Sequence, residues 1–240
     1  MVVVSLTSTE QAELAAAIER AGWAVTPPVV PQLVVDRLLA DVSPLVGGRA
    51  RGGVRNLLDA VPSVRALATS PVVRSAAEAV LGPHCFAVRG ILFDKTPEAN
   101  WKVVWHQDLT IAVRARAAVS GFGPWSEKGG VPHVQPPADL LERMLALRVH
   151  LDDCGAANGP VRVLPGSHRV GRLSPAGIDS WRAGATPVDC LAARGAILAF
   201  RPLLLHASSP ATAPAHRRVI HLEFAADRLP EPLEWHSAVA

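Results

Sequence analysis

The 240-residue sequence predicts a mostly β fold behind an N-terminal set of helices: a β-sandwich or jelly roll with helices packed on one sheet. Three observations predict it. Helix signals crowd into the first 82 residues, strand character begins at His84, and turn-forming pairs punctuate the second half.

The elements follow in order. Residues 8–22, "STEQAELAAAIERAG", carry Ser8 or Thr9 as a cap, early acidic residues and Gly22 past the end, which together mark a helix. After the Pro-rich turn at 27–31, "PQLVVDRLLADVSPL" reads as a second helix, and "SPVVRSAAEAVLG" at 70–82 as a third. "HCFAVRGILFDKT" then opens the strands, joined later by "LALRVHLDD" and "HRRVIHLEFAA". Asn158-Gly159, ahead of "PVRVLPGSH", and Arg194-Gly195, ahead of "AILAFRPLLLHAS", are hairpin signals. Residues 121–137, rich in Pro and Gly, form the longest irregular stretch and read as a lid or binding loop.

Composition removes several functions. With 49% hydrophobic and 19% charged residues, the chain is globular and long enough to bury a sizeable core. A net charge of +3, with scattered basic residues, lacks the concentrated positive face that nucleic acid needs. Cys85, Cys154 and Cys190 are odd in number and show no CxxC spacing, which argues against a disulfide framework or zinc knuckle. No basic leader and no apolar run of the ~18–20 residues that span a bilayer is visible. We therefore expect a cytoplasmic monomer or homodimer that acts on a small molecule, with no nucleic-acid or membrane partner.

The chemistry starts at "WHQDLTIAV". On a strand, His106 and Asp108 project from one side, one pleat apart, close enough to share a metal ion. A third ligand from elsewhere would complete a two-His-one-carboxylate face with open positions for co-substrate and dioxygen. An HxD pair alone is common by chance. His206 ends an apolar run, and Arg217 follows eleven residues later, beyond a Pro-rich turn expected to return the chain as an antiparallel neighbour. A guanidinium there could grip a dicarboxylate with a bidentate fork, and Ser208 would share the face of His206.

"WHQD", "NGPVRVLPGSH" and "RPLLLHASS…HRRVIHLEF", in this order over residues 85–228, resemble the phytanoyl-CoA dioxygenase family of 2-oxoglutarate oxygenases. The resemblance implies a double-stranded β-helix, a cupin-like jelly roll, as a single domain over 1–240. Residues 1–82 would be its helical part and 83–228 its core. It implies Fe(II) held by His106, Asp108 and His206, 2-oxoglutarate anchored by Arg217 with Ser208, and O2 as oxidant, with no catalytic side chain beyond the iron ligands. Arg148 lies loosely where relatives place a residue touching 2-oxoglutarate, and is read as cofactor site or scaffold. Because Asp108 keeps the carboxylate that related halogenases lose, hydroxylation of a small metabolite or natural-product intermediate is expected. A cupin-like metal binder, a zinc hydrolase and an apolar-ligand barrel are the rival readings.

Other residues have simpler roles. His168 of "LPGSH" is read as scaffold, and His150 shares the strand face of Arg148. Asp152 and Asp153 are turn residues. Trp125, Lys128, His133 and Gln135 sit in the lid segment. Arg89, Lys95 and Lys102 precede the iron motif on strands of undetermined register, and Arg218 should point away from Arg217. His216, His221 and His236 show no partner pattern.

Overall fold

The computed structural model of the protein describes residues 5–46 and 53–240. Its elements are α1 (Ser8–Ala21), β1 (Trp23–Val25), α2 (Gln32–Val42), α3 (Leu57–Ala60), α4 (Pro62–Ala68), α5 (Pro71–Leu81), β2 (Phe86–Lys95), β3 (Val103–His106) and β4 (Ile111–Ala112). They continue with β5 (Trp125–Lys128), β6 (Val131–Val134), α6 (Ala138–Glu142), β7 (Met144–His150), β8 (Val161–Val163), α7 (Pro175–Gly184), β9 (Val188–Cys190), β10 (Ile197–Phe200), β11 (His206–Ser208) and β12 (Arg217–Ala225).

The three expected N-terminal helices are α1, α2 and α5; α3, α4, α7 and β1 gave no clear signal in the sequence. Thr7, rather than Ser8 or Thr9, caps α1. Its hydroxyl accepts from the Glu10 amide at 3.3 Å, while the Glu10 carboxylate accepts from the Thr7 amide at 2.8 Å, a reciprocal pair only that register allows. Gly22 ends the helix at φ 83, where a Cβ would lie 2.5 Å from the His168 ring.

Two antiparallel sheets face each other in a double-stranded β-helix. The larger has the order β1-β10-β7-β12-β2, the smaller β3-β11-β8-β9, and β4-β6-β5 form a third sheet. Side chains of the larger sheet alternate. Leu145, Leu147 and Val149 of β7 and Ile220, Leu222 and Phe224 of β12 pack outward under the helices, against Ile18, Leu38, Val64 and Val73. Fully burying each such side chain contributes about 1.5–3 kcal/mol. The intervening positions, including Arg148, Arg217, His221 and Glu223, line the cavity between the sheets.

Three sequence expectations fail here, for one topological reason. At each of these three connections the chain passes from one principal sheet to the other. Asn158-Gly159 therefore joins β7 of the larger sheet to β8 of the smaller, and Arg194-Gly195 joins β9 to β10 in the opposite sense; neither closes a hairpin. Arg217 likewise does not return beside His206. His206 is registered with His106 and Val163, whereas Arg217 is registered with Lys95 across the cavity. The stretch 121–137 is not irregular throughout, because β5 and β6 pair within it as a hairpin, Trp125 opposite Val134 and Lys128 opposite Val131.

Candidate metal centre and cavity

His106 and His206 face each other across β3 and β11, their ring centroids 4.2 Å apart. Each ring donates its Nδ1–H to the carbonyl two residues back, Val104 at 2.8 Å and Leu204 at 2.9 Å. That arrangement leaves both Nε2 lone pairs aimed at Asp108, whose oxygens lie 3.7 Å from His106 and 3.6 Å from His206. One donor atom from each of the three residues lies within 4.8 Å of the others, the only such trio among the described residues. The chemistry of the set fits a divalent cation. His206 Nε2 is buried without a partner, and burial, reinforced by His106, lowers this imidazole to about 3 and keeps it neutral for ligation. Burial pulls the Asp108 carboxyl upward, but neighbouring positive charge, Arg148 included, outweighs it and holds the carboxyl below its ordinary range.

The residue between His106 and Asp108 holds the turn. Gln107 donates to Leu203 O at 2.7 Å and Gly171 O at 2.8 Å, and accepts from the Leu173 amide at 2.8 Å. The "LPGSH" segment acts from the opposite side. Ser167 Oγ accepts from the Leu205 amide at 2.8 Å, fixing the chain as it enters His206. His168 itself lies away from the trio, against Gly22.

The trio opens into a cavity of about 410 Å³. At one end, the inner end, Arg217 is 5% exposed. Its guanidinium donates to the Gly159 carbonyl and contacts Cys154, while Nε is buried with no partner. Asp94 accepts from the Arg217 backbone amide at 3.2 Å and bonds His216 at 2.8 Å, so it holds the strand and not the guanidinium. Ser208 donates to Gly159 O at 2.9 Å and accepts from Lys95 Nζ at 2.7 Å. Lys95 is 1% exposed, and burial, followed by the neighbouring Arg217, pushes its ammonium down to about 8. Two buried cations thus meet with no carboxylate in ion-pair range among the described residues. Such a pair is costly unless an anion occupies the space between them.

Behind the trio, Arg148 Nε donates to His221 Nδ1 at 3.1 Å, and His221 Nε2 donates to Glu223 at 3.2 Å. Arg89 completes the chain on Glu223 at 3.1 Å. Arg148 also stacks on Phe200 and Phe93, 5.0 and 5.5 Å from their centroids. His221 therefore does have partners. They stand on β7 and two residues along β12, a constellation that only strand register creates.

The remaining candidates divide clearly. Arg89, Lys95 and Lys128 line the cavity, whereas Lys102, Trp125, His133 and Gln135 do not. Arg218 points outward and makes a two-pronged pair with Asp152, and Asp153 accepts from the Arg194 amide. His150 is buried beside Arg217 and Arg148 with neither ring nitrogen bonded.

The sequence profile of the family described as Phytanoyl-CoA dioxygenase (PhyH) matches residues 18–219. The chain belongs to this family. It is an Fe(II)- and 2-oxoglutarate-dependent oxygenase. Solved structures of similar fold include AviO1 from Streptomyces viridochromogenes Tue57, at 23% identity and TM-score 0.68 over 94% of this chain and 99% of that one. The carbocyclase SnoK from nogalamycin biosynthesis matches at 16% identity and TM-score 0.71, covering 92% and 84%. EctD from S. alaskensis matches at 20% identity and TM-score 0.70, covering 99% and 90%. A comparison with curated proteins finds no match. No helix among the described residues is long and apolar enough to cross a membrane.

Proposed function

We propose that this phytanoyl-CoA dioxygenase family member hydroxylates an unactivated C–H bond of a small metabolite or natural-product intermediate, releasing succinate and CO2. The observation that carries the reading is one cavity holding both a metal-binding trio and, apart from it, a buried arginine whose guanidinium faces no carboxylate among the described residues. A metal-binding scaffold or a hydrolase has no use for the second feature.

In this reading His106, Asp108 and His206 hold Fe(II) on one face. Arg217, with Ser208 and Lys95, takes the far carboxylate of 2-oxoglutarate through charge-assisted hydrogen bonds. The bound iron and 2-oxoglutarate supply, with O2, an oxidant able to remove hydrogen from carbon. The protein's own groups position and neutralise. The two imidazoles are held by backbone carbonyls with their tautomers set, and Asp108 contributes a negative charge beside the cation. Arg148 is fixed between aromatic rings and His221, and it balances that charge from behind.

Anaerobic addition of Fe(II) and then 2-oxoglutarate tests the assignment. A weak visible charge-transfer band should require both, and Arg217→Ala should lose it while keeping iron. A band that persists undiminished in Arg217→Ala would remove Arg217 from the cofactor site.

A further inference from the structure

The cavity holds more positive charge than iron and its co-substrate can use. Arg55, Arg89, Lys95, Lys128, Arg148 and Arg217 line it, against two carboxylates, Asp108 and Glu223. Fe(II) and 2-oxoglutarate carry equal and opposite charge, so loading both leaves the excess in place.

Register separates these cations into two groups. On the inner face of the larger sheet, Lys95 stands opposite Arg217 at one end, and Arg89 stands opposite Glu223 at the other. The six residue steps between Arg89 and Lys95 correspond to about 20 Å of strand. Extended 2-oxoglutarate reaches only about 7 Å, given C–C bonds near 1.5 Å. One molecule cannot engage both ends.

The iron trio lies between them. Ser208, two residues beyond His206, bonds Lys95. Thr110, two residues beyond Asp108, accepts from Lys128 Nζ at 2.7 Å. At the Thr110 end Glu223 is already engaged by Arg89 and His221, and Asp108 faces the trio. Lys128 makes no ion pair within 4.0 Å among the described residues, and its only polar side-chain partner there is a neutral hydroxyl. Burial and the neighbouring Arg89 and Arg55 push its ammonium below the ordinary lysine range. Arg55 reaches this corner from the opposite side, its stem packed against Gly129 at the tip of the β5–β6 hairpin, and Asn56 donates to Gly129 O at 3.1 Å.

We infer that the substrate carries an anionic group, a carboxylate or a phosphate ester, seated between Lys128, Arg55 and Arg89 on the side of the iron away from 2-oxoglutarate. The inference rests on the oxygenase reading above and adds its substrate class. Apolar surface from Ile91, two residues from Arg89, and Leu109, beside Thr110, leaves room for a hydrocarbon body next to the charged head.

The test uses one ring with three headgroups: benzoate, phenyl phosphate and benzamide. Each is titrated anaerobically into protein saturated with Fe(II) and 2-oxoglutarate, at fixed ionic strength, following tryptophan fluorescence (Trp101 lines the cavity) and calorimetric heat. At least one anion should bind about tenfold or more tightly than benzamide, as expected for a charge-assisted contact. The preference should collapse in Lys128→Gln, and the tighter anion identifies the headgroup. Equal binding of all three, or an unchanged preference in both Lys128→Gln and Arg55→Gln, overturns the proposal. The charge-transfer band, read in the same samples, separates the two readings. Its absence from the wild type sinks the cofactor assignment. Its presence, with no anion preference, sinks only the substrate class. Should Lys128→Gln fail to load iron, Arg55→Gln decides by the same criterion.

Discussion

The two principal sheets meet at one cavity but hold their functional groups in place by different means. The larger sheet is backed by the helical layer. Its outward face packs a continuous apolar cluster under α1–α5, with Arg218 at its margin, and that packing fixes an inner face carrying Arg89, Arg148, Arg217, His221 and Glu223. The smaller sheet has no such backing; Val104 of β3 is 66% exposed. Its two histidines are oriented by hydrogen bonds, to the backbone carbonyls of Val104 and Leu204 and through the Gln107 and Ser167 clamps. Precision thus comes from close packing in one wall and from satisfied polar groups in the other.

Substitutions in each wall should fail in different ways. The largest effect is expected from His206→Ala, which removes a proposed iron ligand and should lower iron affinity by about 100-fold or more while the fold persists, checked by metal analysis after dialysis. Arg217→Ala should raise the KM for 2-oxoglutarate about 10–100-fold with iron still bound, measured by succinate release. Leu147→Ala, on the packed side, should cost about 2–5 kcal/mol in denaturant unfolding and leave iron affinity unchanged. Gln107→Ala should show the reverse pattern, with about tenfold weaker iron binding and a smaller loss of stability. If both substitutions shifted stability and iron affinity together, the contrast between the walls would be wrong.

The smallest expected effect depends on pH. Lys95 titrates at about 8 in the folded protein against an ordinary 10.5, so between these values the unfolded chain holds a proton that the folded one has released. Stability of the cofactor-free protein should therefore rise with pH across that window. Affinity for 2-oxoglutarate should fall several-fold over the same range, since the anchor loses a charge. Profiles of KM against pH for wild type and Lys95→Met check this; a flat wild-type profile would remove Lys95 from the anchor.

Local periodicity made much of this legible. The alternation in β7 and β12 separated Arg148 from Leu147 and Arg217 from Arg218, because a pleat repeats every two residues. His106 and Asp108 do meet at one site, as their spacing suggested, but not as neighbours along one strand: β3 ends at His106, and Asp108 stands in the turn beyond it, its amide donating to Pro202 O at 2.8 Å. Lys95, Lys128 and His221 could not be placed. The function of each depends on a partner more than 15 residues away in another strand or loop, namely Ser208, Thr110 and Arg148. Strand register across a bulge such as that at Glu223/Phe224 is not encoded in any short window.

Turn chemistry shows where that boundary lies. Gly159 and Gly195, both at positive φ, correctly mark sharp turns, because only glycine adopts that backbone without strain. The same residues cannot report whether the next strand joins the sheet just left or the one opposite. Sequence alone determined the helical first third, the β-rich remainder, and the residue types and spacing of the candidate metal site, since these follow from local backbone preference and side-chain chemistry. The tertiary structure alone decided that Arg217 lies across the cavity from His206, with Lys95 beside it, and that a second group of cations flanks the trio of His106, Asp108 and His206. Those facts depend on which sheet each strand enters, and that choice is governed by burying apolar faces over the whole chain.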